Sequence, residues 1–115
     1  MDIKITNKEI KDGNVLSVQG EIDVYTSPKV KEAIGNLIEQ SKYNIVVNLE
    51  EVRYIDSTGL GVLIGALKRL REHNGNISLV CSNPQIKKIF QITGLVKIFG
   101  IFKSEEEAQA NLGLV

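Results

Sequence analysis

The chain has 115 residues, 43% hydrophobic and 24% charged, a composition that suits one compact domain and neither a disordered nor a membrane protein. Its 14 basic residues cancel its 14 acidic ones, which excludes attraction to nucleic acid by overall charge. A single cysteine, Cys81, excludes an intramolecular disulfide and a cysteine-rich metal site.

The first residues alternate polar and apolar, without a signal peptide's apolar core, and no stretch approaches the ~20 apolar residues of a spanning helix. A cytoplasmic protein without membrane contact is expected. Residues 3–10 and 14–19 read as a hairpin turning at Asp12-Gly13, with Ile22 and Val24 able to carry the second strand on. Ser27-Pro28 is a cap followed by a proline. After it Val30, Ala33, Ile34, Leu37 and Ile38 recur at helical spacing, so a helix is expected to about Gln40.

The β-branched run 44–49 predicts a central strand covered on both faces. Beyond Val52, Tyr54 and Ile55, a second helical stripe of Leu60, Leu63, Ile64, Leu67 and Leu70 begins at Asp56-Ser57-Thr58 and stops at Asn74-Gly75. Residues 77–81 predict a further strand, in which Cys81 reads as a buried side chain because no activating cation stands near it. Asn83-Pro84 opens a third helix ending near Thr93-Gly94, and residues 98–102 predict the last strand. Ser104-Glu105-Glu106-Glu107 is a capping box for a final helix to about Leu112.

The order is β-β-α-β-α-β-α-β-α. It predicts one α/β domain over residues 1–115, a mostly parallel sheet with an antiparallel N-terminal hairpin at its edge. In such sheets ligands and partners meet loops at the carboxyl ends of strands. Two loops fall there: residues 21–27 and residues 56–61.

The second loop carries the sharper signal. Ser57 stands where a helix begins, and helix starts expose unpaired amides and a positive dipole end. Gly59 and Gly61 remove bulk beside it. On local sequence alone Ser57 reads first as a helix cap and the glycines as relief for close packing. Thr58 is the rival hydroxyl, stiffer at χ1 because it is β-branched. Lys68, Arg69 and Arg71 read as a solvated helix face, with a partner contact as the minor alternative.

Enzymatic readings fail. Gly59-x-Gly61 lacks the third glycine of a dinucleotide fingerprint, no Gly-Lys-Ser/Thr phosphate loop occurs, and Ser57 lacks the G-x-S-x-G elbow. His73, the single histidine, would lie ~24 Å from Ser57 along the helix, where it suits the C-terminal dipole end. No catalytic residue, metal site or cofactor is expected.

The words Gly20-Glu21-Ile22-Asp23-Val24-Tyr25, Tyr54-Ile55-Asp56-Ser57-Thr58-Gly59-Leu60-Gly61 and Phe90-Gln91-Ile92-Thr93-Gly94-Leu95, in this element order, resemble the STAS domain of bacterial anti-sigma factor antagonists, in particular the general-stress (sigma-B) type. The resemblance covers essentially the whole chain. It implies a non-enzymatic switch that binds an anti-sigma factor, itself a serine kinase, and so frees a sigma factor. It also implies that Ser57 is the phosphorylated serine, that a PP2C-type phosphatase restores binding, and that Asp23, Asp56, Thr58, Gly59 and Leu60 sit at the partner surface. The free chain is expected to be monomeric. Other STAS-like domains serve as scaffolds or bind small ligands, and a nucleotide-binding domain is the second alternative, disfavoured by the missing phosphate-binding lysine.

Overall fold

The structure, a computed structural model, describes residues 2–113; Met1, Leu114 and Val115, at the ends of the expected domain, lie outside the described residues. Five strands form one sheet in the order β1-β2-β3-β4-β5. They are β1 (Ile3–Ile10), β2 (Gly13–Ile22), β3 (Asn44–Ile55), β4 (Asn76–Val80) and β5 (Gly100–Phe102). Only β1 runs antiparallel to its neighbour; the other pairings are parallel. The helices are α1 (Ser27–Glu39), α2 (Ser57–Arg71), α3 (Pro84–Ile92) and α4 (Glu105–Asn111).

The expected order therefore holds, with the physics anticipated for β3. Ile45, Val46 and Val47 point alternately to both faces, and all three are fully buried. The larger core joins Leu16, Val18 and Ile45 to the stripes of α1, α2 and α3, while Val15, Val46 and Val80 meet Ala108 of α4 in a smaller one. Each buried Leu, Ile or Val contributes about 1.5–3 kcal/mol of transfer free energy.

Several expectations are corrected. Thr26, not Ser27, occupies the cap position of α1, because Ser27 is already helical and buried, and the Thr26 side chain makes no capping bond. The residues 95–97 form a short 3-10 turn after left-handed Gly94, so the last strand shrinks to Gly100–Phe102 and Ile98 is left exposed outside it. His73 lies beyond the end of α2 and stacks on Tyr43, with ring centroids 4.3 Å apart. The positive charge in the last turn of α2 comes instead from Lys68, Arg69 and Arg71.

The Ser104 hydroxyl does accept from the Glu107 amide, at 3.2 Å, but the Glu107 carboxylate reaches the Lys103 amide rather than that of Ser104. Glu105 has more to do than its place in a helix start suggests. Its carboxylate accepts from Lys8 Nζ at 2.9 Å and Asn48 Nδ2 at 2.8 Å, tying α4 to β1 and β3. The Lys8 bond, then the Asn48 bond, hold its pKa below the ordinary 4.5.

A depressed carboxyl stabilises the fold above its unfolded pKa and loses that contribution as pH falls through the folded one. Glu105→Gln should therefore weaken the protein at neutral pH, and the difference from wild type should shrink below about pH 4.5. Urea unfolding at a series of pH values checks this; a difference independent of pH would show that the charge is irrelevant.

Candidate functional site

The two loops singled out above meet at one end of the sheet because β2 and β3 run parallel and finish together, Ile22 beside Ile55. The Asp56 amide donates to the Ile22 carbonyl at 3.1 Å, so the residue before the second helix is pinned to the end of the neighbouring strand. Local bonds then set each loop.

In the first, one Asp23 carboxylate oxygen accepts from the amides of Tyr25 (2.9 Å) and Thr26 (3.0 Å) and from the Thr26 hydroxyl. That hydroxyl shares its one proton with the Glu21 carbonyl, at 2.7 Å, and its oxygen accepts from the Asp23 amide at 2.9 Å, which explains why it is not free to cap α1. In the second, one Asp56 oxygen accepts from the amides of Thr58 (2.9 Å) and Gly59 (3.1 Å) and from the Thr58 hydroxyl.

Asp56 is therefore the helix cap, which corrects the reading of Ser57 in that role. Ser57 becomes the first helical residue, exposed, and among the described residues its hydroxyl makes no hydrogen bond. Thr58 is equally exposed, but its hydroxyl is committed to Asp56. Both aspartates are held below the ordinary carboxylate value, Asp23 chiefly by the Thr26 amide and Asp56 chiefly by the Thr58 hydroxyl. Their mutual repulsion opposes this at Asp23. The two loops that frame Ser57 thus each present a carboxylate at neutral pH.

Of the residues expected at this surface, Asp23, Asp56, Ser57 and Thr58 come together on it. Gly59 and Leu60 do not; both lie beneath, Leu60 only 8% exposed. A Cβ on Gly59 would sit 2.7 Å from Ile22 Cγ2 and 2.8 Å from Ile55 Cγ1, so its missing side chain lets α2 press onto the ends of β2 and β3. Three exposed apolar side chains were given no role from sequence: Val24 and Tyr25 in the first loop, Tyr25 82% exposed, and Tyr54 at the end of β3. Two adjacent apolar residues in a turn were the available signal, since a turn offers no second face to bury.

No group of three or more His, Cys, Asp or Glu side chains among the described residues could hold a metal ion, and no helix among them is long and apolar enough to cross a membrane. Cys81 is buried just past β4, and burial raises its thiol pKa, as a structural cysteine requires.

An accessible serine at a helix start, framed by two ordered acidic loops on a small mixed sheet, defines a regulatory interaction domain of α/β type. Residues 5–108 match the STAS domain model. The chain belongs to the STAS domain family, among its anti-sigma factor antagonists, which are regulators rather than enzymes.

It is 43% identical over 114 residues to an anti-sigma-B factor antagonist of Listeria monocytogenes, covering 96% of this chain and 98% of that one. An anti-sigma factor antagonist from Mycobacterium paratuberculosis superposes with a TM-score of 0.89 at 28% identity, covering 97% of this chain and 95% of the other. SpoIIAA of Bacillus, a cell fate determinant solved in its phosphorylated form, superposes with a TM-score of 0.73 at 25% identity, covering 94% and 98%.

Proposed function

We propose that this protein is an anti-sigma factor antagonist switched at Ser57. Unphosphorylated, it binds an anti-sigma factor through the surface formed by Asp23, Asp56, Ser57 and Thr58, with Gly59 and Leu60 setting that surface from below, and so releases a sigma factor. The anti-sigma factor is also a serine kinase. It moves the terminal phosphoryl group of ATP onto the Ser57 oxygen, the hydroxyl proton and ADP leave, and the affinity falls. A PP2C-type phosphatase hydrolyses the ester and restores binding. The protein works in the cytoplasm, where the transcription machinery lies.

The observation that carries the reading is the division of labour at the start of α2. Asp56 caps the helix and holds the Thr58 hydroxyl, which leaves the Ser57 hydroxyl exposed and, among the described residues, without a partner. A phosphoacceptor must enter another protein's active site, and only this hydroxyl of the pair is free to do so.

The test is to incubate the protein with its anti-sigma factor and ATP and to map the phosphate by tandem mass spectrometry. One phosphate on Ser57 is expected, none in Ser57→Ala, and continued labelling of Ser57 in Thr58→Ala. Labelling of Thr58 in the wild type, or none at all, would sink the proposal.

A further inference from the structure

Beside the switch, α1 and α2 leave an open groove of ≈ 520 Å³ that begins at Thr58 and runs along both helices. Its walls repeat at helical spacing: Lys31, Ile34 and Ile38 on α1, and Thr58, Gly61, Gly65, Lys68 and Arg69 on α2. Ile34, Ile38 and Ala66 give it an apolar floor. The charged side chains lining it are Lys31, Lys68 and Arg69, all basic, although the chain as a whole is neutral.

The glycines have no internal reason to be there. A Cβ on Gly61 or Gly65 would meet nothing within 4 Å among the described residues, and neither glycine is needed for a turn, since both lie inside α2. Glycine within a helix weakens it relative to alanine, so the domain alone would be better served by alanine at both positions. What the two glycines do provide is a smooth wall on which another backbone can lie close.

We propose that this groove receives an amphipathic helix of the anti-sigma factor, apolar on the side facing Ile34, Ile38 and Ala66 and acidic on its flanks. The inference rests on the antagonist reading above and adds a second part to its interface. An apolar floor under basic side chains selects such a helix, because its stripe is buried while its carboxylates meet Lys31 from α1 and Lys68 and Arg69 from α2, the Arg69 guanidinium reaching across to the α1 wall at Gly35. The groove also opens at Thr58, so its occupant passes directly beside Ser57. Phosphorylation at its mouth then acts on both contacts at once.

The experiment is a calorimetric titration of the purified anti-sigma factor into wild type, Ser57→Ala, Gly65→Trp and the double variant Lys68→Glu/Arg69→Glu. Thermal melting of each free protein runs alongside, with Gly65→Ala added. Gly65→Ala should melt a few degrees higher than wild type, confirming that the glycine serves nothing internal. Gly65→Trp fills the groove and the double variant reverses its rim; each should remain folded and bind at least about tenfold more weakly. Only the double variant should lose the salt dependence of wild-type binding.

Wild-type affinity in both groove variants would overturn the groove while leaving the switch intact. Failure of wild type and Ser57→Ala to bind would overturn both readings. Self-association of the free protein that the two groove variants abolish would assign the groove to a second copy and overturn the proposal.

Discussion

Gly75→Ala is expected to destabilise the protein by about 3 kcal/mol or more, lowering its melting temperature by roughly 10 °C, whereas Asn74→Gly next to it should change stability by less than about 1 kcal/mol. The Asn74-Gly75 pair that ends α2 invites the opposite assignment, with the glycine in the left-handed position usual after a helix. The structure exchanges the roles. Asn74 takes the positive φ, +60°, which asparagine tolerates.

Gly75 is there for space: a Cβ would overlap the Tyr43 carbonyl oxygen and lie 2.6 Å from Tyr43 Cβ. That carbonyl cannot turn away cheaply. It accepts from the Asn76 amide at 3.0 Å, just where β3 and β4 begin to pair, and the Tyr43 ring is held against His73. The Gly75 amide meanwhile closes α2 by donating to the Leu70 carbonyl at 2.8 Å. Relief of the overlap must therefore shift either the end of α2 or the start of the parallel ladder. Urea unfolding of the two variants decides the matter; a Gly75→Ala protein within 1 kcal/mol of wild type would show that the close approach is not required.

This pair also illustrates what a single sequence could reveal. The stripes of α1 and α2 were legible because each meets one continuous core, and the run of β3 was legible because two faces demand apolar residues without interruption. The second half of β3 was harder to read. Residues 49–55 pair only with β2, so Leu49, Val52 and Ile55 are buried while Glu51, Arg53 and Tyr54 face water, and the polar positions look like a loop. Ile98 failed for the converse reason: its neighbours are apolar, but Gly94 turns the chain left-handed and a 3-10 turn follows.

At the site, sequence located the two loops but not their division of labour. Asp56 and Ser57 are both good caps, and which one caps depends on where β3 ends. That is fixed by the bond from the Asp56 amide to the Ile22 carbonyl, a contact 34 positions away in the chain. Gly59 and Leu60 share the recognised word with Ser57, yet helical geometry turns them inward. A motif marks a stretch of chain, whereas a surface is one face of it.

Ser57→Asp, or phosphorylation of Ser57, is expected to remove about 2–5 kcal/mol of binding free energy toward the anti-sigma factor while changing the stability of the free domain by less than about 1 kcal/mol. A phosphate brings about −1.5 to −2 charges. At most helix starts the free amides would receive it. Here the Thr58 and Gly59 amides are already taken by Asp56, and Asp23 adds a second carboxylate on the adjoining loop.

The new charge therefore has little reason to fold back onto its own domain. It projects from between two carboxylate-bearing loops toward the partner, where it must be desolvated and accommodated, and the effect falls on the complex. Titration of the anti-sigma factor into Ser57→Ala and Ser57→Asp measures the loss, and amide spectra of the free proteins measure the rearrangement. Shifts should stay within the loops of residues 21–27 and 56–61 and the strand ends beneath them. The phosphoprotein should also regain part of its affinity as pH falls through about 6, where the phosphate takes up its second proton, while Ser57→Asp should not. Unchanged affinity in Ser57→Asp, or shifts spreading into β4 and β5, would mean that the charge acts by some route other than repulsion at the surface.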